Sequence, residues 1–130
     1  LRSLFAKRQP VSRRLGLLGN EDVFIVNALA RPDWRLDLLP NGEALVVWQR
    51  AEGITRLHDI VARRLPETAA IAAALGIGEH SEIEVLFPPD ELAGSFSAVP
   101  HAATDDERVM VRGPFDTGGE PVMLPLTAVS

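Results

Sequence analysis

The sequence predicts an α+β domain: a mixed, mostly antiparallel sheet with a crossover helix and flanking helices. Three observations predict it. Apolar and polar residues alternate from Trp34 to Leu38 and resume after Pro40-Asn41-Gly42, a turn composition. A third sheet-like run, Ile54 to Ala62, gives way at Pro66 to an alanine-rich stretch ending on Gly76. A further β-rich run, EIEVLF from Glu82 to Phe87, stops at Pro88-Pro89. Strands joined by turns pair antiparallel, whereas a connecting helix is long enough to make its two strands parallel.

Taken in order, Leu1 to Arg8 favours a short helix stopped by Pro10, and Ser12 to Gly19 a loop. Asn20 caps a helix running toward Pro32, with Glu21 and Asp22 in its favourable first turn and Val23, Phe24, Ile25, Val26 and Leu29 as its apolar side. Val-Phe-Ile-Val also suits a strand, so both readings stay open there. Trp34, Leu36 and Leu38 share one face of a first strand, Ala44 to Arg50 completes the hairpin, and Ile54 to Ala62 continues the meander. Pro66 opens the helix Glu67 to Leu75, whose Ala69, Ala72 and Ala73 let it lie close to the sheet, and Gly76 caps it. Glu82 to Phe87 is the fourth strand. Arg108 to Arg112 (RVMVR) reads as a fifth, halted by Gly113-Pro114, and Asp90 to Glu107 between them has loop composition with one helical turn. Gly118-Gly119, Pro121 and Pro125 make the C-terminal part an ordered loop or short edge strand that packs Val122, Met123 and Leu124.

A chain of 130 residues buries roughly two-thirds of the surface it exposes when unfolded, enough for one core. With 46% hydrophobic and 24% charged residues it is too apolar for disorder, and no apolar run approaches the ~20 residues of a membrane span. The absence of cysteine excludes disulfides, thiolate metal sites and a cysteine nucleophile, and fits a reducing cytoplasm. Opening on Leu1 instead of methionine, the chain reads as a trimmed product or part of something longer.

The net charge of −5 hides an asymmetry. Arg2, Lys7, Arg8, Arg13 and Arg14 are five of the 13 basic residues and precede every acid, leaving eight basic against 18 acidic residues and a balance of −10. Residues 1–19 therefore read as a basic N-terminal arm or linker, and 20–130 as the domain. An acidic body lacks the broad positive face that nucleic-acid binding requires. The arm is left to solvent, a polyanion or an acidic neighbouring domain.

Chemistry-bearing residues concentrate where the third strand meets the crossover helix. By the two-residue period Leu57, Asp59 and Val61 share one face and His58 and Ile60 the other, so each face carries one ionisable group among apolar ones. Either a bulge breaks the alternation or both groups are half-buried and need partners. Asp59 or His58 is the candidate general base for a substrate amine; the alternative is a strand-end pair satisfied by its neighbours. Arg63 and Arg64 precede a helix N-terminus, a favourable place for a phosphate. Against that, Glu67 occupies the first turn, and no glycine lies between Gly53 and Gly76 to let the backbone approach an anion. His58, His80 and His101 are too scattered for a metal site, and the G-x-S-x-G, G-x-x-x-x-G-K and G-x-G-x-x-G patterns are all missing. Asp105-Asp106 reads as a loop before a strand.

The order of a meander, a DIVA strand, a helix, a strand ending in Pro-Pro and a VMVRG strand resembles the GNAT superfamily of N-acetyltransferases. In particular, GEALVVWQRAEGITRLHDIVARRLPETAAIAAALG, then EIEVLFPPDEL and RVMVRGPF, is similar to the second GNAT-type lobe of multi-lobe acetyltransferases related to the enhanced-intracellular-survival proteins. The resemblance covers about Gly42 to Phe115. It implies a GNAT-like fold binding acetyl-CoA, with the pyrophosphate held by an R/Q-x-x-G-x-G/A loop. At the corresponding place stand Ala62, Arg63, Arg64, Leu65 and Pro66, with neither glycine, while Arg13-Arg14-Leu15-Gly16-Leu17-Leu18 matches only the first part of that pattern. Many members protonate the leaving thiolate with a tyrosine, and this chain has none. In the related proteins the second lobe is a degenerate copy that supports the catalytic one.

The resemblance implies a C-terminal or degenerate lobe of an acyl-CoA-dependent N-acetyltransferase, with an upstream catalytic GNAT domain or a second copy as partner. If the chain acts alone, Ala62, Arg63 and Arg64 are the cofactor-binding candidates and Asp59 or His58 the base. The reading from another class is a non-enzymatic interaction or assembly module whose hairpin and apolar C-terminal segment pair with a partner. An open gap between the third and fourth strands favours cofactor binding, and a gap closed by side chains favours the degenerate lobe.

Overall fold

The computed structural model describes residues 1–16, 18–100, 102 and 112–128. A four-stranded sheet in the order β1-β2-β3-β4 organises it, formed by β1 Arg35–Leu38, β2 Ala44–Ala51, β3 Ile54–Ala62 and β4 Ile83–Val85. The first three strands are antiparallel and β4 runs parallel to β3, which the helical crossover between them makes possible. That crossover is α3, Thr68–Ala74, with Glu67 and Leu75 flanking it and Gly76 just beyond at a φ of 65°. The α+β class is therefore as the sequence predicts.

Two apolar clusters sandwich the sheet. On one face α3 packs Ile71 against Val46, Trp48, Leu57, Ile60 and Phe87. On the other, Leu4 and Phe5 of α1 (Arg2–Ala6) and Phe24 of α2 (Glu21–Ala30) meet Trp34, Leu45, Val47, Val61 and Leu126. Phe5 and Phe24 meet edge to face with centroids 4.8 Å apart. Asn20 is the N-cap residue of α2 but makes no side-chain cap bond, because its Oδ1 accepts from Arg8 Nη1 at 3.3 Å.

Two readings need correction, the N-terminal arm and the length of the fourth strand. Residues 1–19 are no solvated arm: Leu4, Phe5, Arg8, Val11 and Ser12 are buried. The fourth strand is shorter than Glu82 to Phe87, because Leu86 and Phe87 leave the ladder to enter opposite cores. Of the two readings of the C-terminal stretch the ordered loop holds: Met123 and Leu124 pack half-buried on the α2 face and lead into a 3₁₀ turn, Leu126–Ala128. Leu36 and Leu38 are exposed, since no helix covers that end of the sheet. Of the expected fifth strand, Arg108 to Val111 lies outside the described residues, as do His101, Asp105 and Asp106; Arg112 is described and is not in a strand.

The β2–β3 connection is a two-residue turn in which Glu52 (φ 55°) and Gly53 (φ 77°) are both left-handed, the type I′ geometry that matches the twist of the flanking strands. Glutamate has no local compensation for that conformation, whereas asparagine does. Glu52→Asn is expected to stabilise the protein by about 0.5–1 kcal/mol in urea unfolding. A loss of stability would show that the turn tolerates glutamate without strain.

Candidate functional site

The junction residues are positioned by a break in β3. Asp59 lies opposite Val47 and Leu57 opposite Trp48, so His58 is the extra residue of a β-bulge. A bulge turns two successive side chains toward one face, and both His58 and Asp59 meet groups on the α1–α2 face. The His58 ring stacks on Trp34 with centroids 4.4 Å apart and planes 26° from parallel. Its Nε2 lies 3.2 Å from Gln49 Oε1, so the Nε2–H tautomer donates there. Nδ1 is buried with no hydrogen-bond partner among the described residues. Burial, seconded by the Arg31 cation, pushes the His58 pKa down to about 4, and the ring is neutral at pH 7.

Asp59 is the centre of a buried polar network. Its Oδ1 accepts from Arg8 Nη2 and from the Ile60 amide at 2.8 Å, and its Oδ2 accepts from Thr127 Oγ1. Side-chain exposure is 3% for Arg8 and 0% for Asp59. Burial pushes the Asp59 carboxyl up, against the opposing pull of Arg8, Thr127 and the Ile60 amide. Both oxygens are engaged and neither faces solvent, so in this conformation Asp59 cannot take a proton from an incoming amine. His58 and Asp59 share a face but not a bond, and they do not form a catalytic pair.

Beyond Leu57 and Val85 the β3–β4 ladder ends, with Leu86 N–H donating to the Leu57 carbonyl at 2.9 Å. The edge of β3 past that point is taken by the N-terminal segment. Gln9 N–H donates to the Ala62 carbonyl at 2.8 Å, and Arg8 reaches Asp59 alongside. Ser12 Oγ donates to Asp90 Oδ1 at 2.5 Å, the Arg13 amide to Asp90 Oδ2 at 2.9 Å, and Arg13 Nε pairs with Glu91 at 2.7 Å. Burial would raise the Asp90 pKa, but the bonds from Ser12 and Arg13 outweigh it and hold the carboxyl below its usual range. Side chains and backbone thus close the space between the third and fourth strands.

Of the cofactor-binding candidates, Ala62 is buried in the α3-side core, while Arg63 and Arg64 are exposed and make no ion pair among the described residues. No residue between Gly53 and Gly76 adopts a positive φ, so the chain forms no left-handed nest of amides. Glu67 stands at the N-cap of α3 with extended backbone and makes no side-chain cap bond, and its negative charge at that helix start disfavours a second anion there. The residues present do not fit the pyrophosphate of acetyl-CoA. An apolar cavity of about 50 Å³ between α3, β3 and β4 is lined by Leu57, Ile71, Leu75, Ile83 and Val85 among others, and is far too small for that ligand. A shallow open trough of about 440 Å³ lies between Leu39-Pro40-Asn41 and Pro66, Ala70, Ala73 and Ala74, with no charged side chain. Among the described residues no cluster of His, Asp or Glu could hold a metal ion, and no helix is long and apolar enough to cross a membrane.

Sequence reasoning missed Arg8, Thr127, Gln49 and Trp34 as partners of the junction. Only Trp34 carries a local signal, an aromatic at the start of a strand; Arg8 lies 51 and Thr127 68 residues from Asp59 in the chain. No family model matches the chain, and no curated protein or solved structure does either.

Two consequences can be measured. Arg8→Met leaves a buried carboxylate unpaired and is expected to cost about 3–5 kcal/mol, while adding Asp59→Asn, whose oxygen still accepts from the Ile60 amide and whose Nδ2 can donate to Thr127 Oγ1, removes the buried charge and returns most of that loss. Urea unfolding of the single and double variants checks it; equal losses in both would mean that the pair is not coupled. The lowered His58 pKa means that the unfolded chain gains a proton below about pH 6.5 while the folded chain does not. Stability is therefore lost as pH falls, by about 2 kcal/mol between pH 6.5 and about pH 5, and His58→Phe is expected to flatten that slope.

Proposed function

We propose that the chain is a GNAT-like lobe that supports an acyl-CoA-dependent N-acetyltransferase and does not itself transfer the acyl group. One observation carries this reading: the place beside β3 where such a fold would admit a cofactor is filled by Arg8 and Gln9, bonded to Asp59 and Ala62. The rest agrees with it. A crossover helix joins parallel β3 and β4, and a bulge interrupts β3, while the junction has no glycine and the chain no tyrosine. The partner on this reading is an upstream catalytic GNAT domain, and the absence of cysteine keeps the cytoplasm as the proposed setting.

A second reading has its own observation. Leu36 and Leu38 on an edge strand and Val26 and Leu29 on α2 are exposed, as in an interaction or assembly module. The readings are not exclusive, because a supporting lobe also needs a docking surface.

Calorimetric titration of acetyl-CoA into the chain at physiological salt, beside an Arg63→Ala, Arg64→Ala double variant, tests the proposal. No detectable binding at millimolar ligand is the expected result. Micromolar binding that disappears in the double variant would overturn the supporting-lobe reading and make the β3–α3 junction a cofactor turn.

A further inference from the structure

We propose that the free edge of β1 is a homodimer interface, where two copies pair antiparallel about a twofold axis at Leu36 to make one eight-stranded sheet. β1 is the end strand of the sheet, and Leu36 (41% exposed) and Leu38 (58%) point toward the face that carries α2, opposite Val47 and Leu45 in the register. On that same face α2 exposes Val26 and Leu29. An edge strand with an apolar face invites another strand wherever its own charges meet opposite charges in the pairing.

The backbone fixes which strand it fits. Leu39 N–H donates to the Ala44 carbonyl at 2.8 Å, so Leu39 and Ala44 form a hydrogen-bonded pair. Alternation makes Asp37–Val46 and Arg35–Trp48 bonded pairs too, and leaves the N–H and C=O of Leu36 and Leu38 pointing away from β2. A second β1 must meet those outward groups with its own.

Four twofold registers satisfy the alternation, and charge and chemistry separate them. An axis at Arg35 sets two arginines face to face, and one at Asp37 sets two aspartates face to face. An axis at Leu38 places Leu36 opposite Pro40, which has no N–H to donate. With the axis at Leu36, the two Leu36 residues exchange both backbone bonds, each Leu38 N–H meets the Trp34 carbonyl of the other copy, and Arg35 lies across from Asp37 twice. The Trp34 N–H is already used by the Arg31 carbonyl, so this register asks only for the Trp34 acceptor. Arg35 and Asp37 flank Trp48 on the α3 face, the guanidinium 5.3 Å from its ring and the carboxylate accepting from Nε1 at 2.6 Å, so both lie on the one face where the two copies would pair them. The interface is isologous and closes after two copies, because joining the β1 edges leaves neither exposed.

The test is sedimentation equilibrium across a protein concentration series, with charge swaps at the two positions. The wild-type chain is expected to reach twice its 14.1 kDa as concentration rises. Arg35→Asp alone sets aspartate against Asp37, and Asp37→Arg alone sets arginine against Arg35; each is expected to weaken association by about tenfold or more. Mixing the two single variants restores both opposite-charge pairs in a heterodimer, as does Arg35→Asp with Asp37→Arg in one chain, and both are expected to recover dimerisation. Recovery on mixing also shows that the single variants fold. A monomer at every concentration, a dimer indifferent to either swap, or folded single variants that do not recover on mixing would each overturn the proposal.

Discussion

The structure depends on one buried ion pair. Asp59 sits mid-strand in a core where a lone carboxylate would not stay ionised, and it is tolerated because three chain segments send it donors: Arg8, the Ile60 amide and Thr127. Replacing such a pair with apolar residues often costs nothing, so its value lies less in net stability than in what it specifies. Arg8 can be buried only if it reaches Asp59, which fixes the path of the N-terminal segment across the edge of β3. Thr127 does the same for the C-terminal turn, which then supplies Leu126 to the cluster around Phe24.

The bulge at His58 makes this arrangement possible. In regular alternation His58 and Asp59 would point to opposite faces, and one of them would enter the tightly packed core beneath α3. The extra residue turns both to the α1–α2 face, where Trp34 and Gln49 receive the imidazole and Arg8 the carboxylate. After the bulge the register shifts by one, so that Leu57 falls with Trp48 and Ile60 in the α3-side core.

Legibility in the sequence followed the range of the interaction. The hairpin, β3, α3 and its glycine cap are written in nearest-neighbour patterns and stand close to where the sequence places them. The bulge was half legible, because LHDIV cannot alternate cleanly and must either bulge or bury an ionisable group on each face. The N-terminal segment was not legible: a run of arginines without acids reads as solvated, and nothing near Arg8 announces a carboxylate 51 residues away. Leu36 and Leu38 alternate as in a half-buried strand, yet whether a helix covers that face depends on where α2 docks. Local pattern therefore located the candidate residues but not their exposure, and exposure decides whether Asp59 can act as a base.

The charge asymmetry takes on a different meaning once the partners are known. Arg2 lies near Glu21, Arg8 on Asp59, Arg13 on Glu91 and Arg14 on Glu120, so four of the five leading cations face carboxylates of their own chain. The exposed pairs contribute little individually, and salt screens them. Collectively they remove the segment as a free polycation, because a polyanion would have to displace carboxylates already in place. What remains at the surface is an acidic body with Arg63 and Arg64 exposed beside a helix start whose own cap carries Glu67. Such a surface is poorly suited to concentrating an anionic cofactor, and the exposed apolar residues on β1 and α2 are a part of it suited to protein contact.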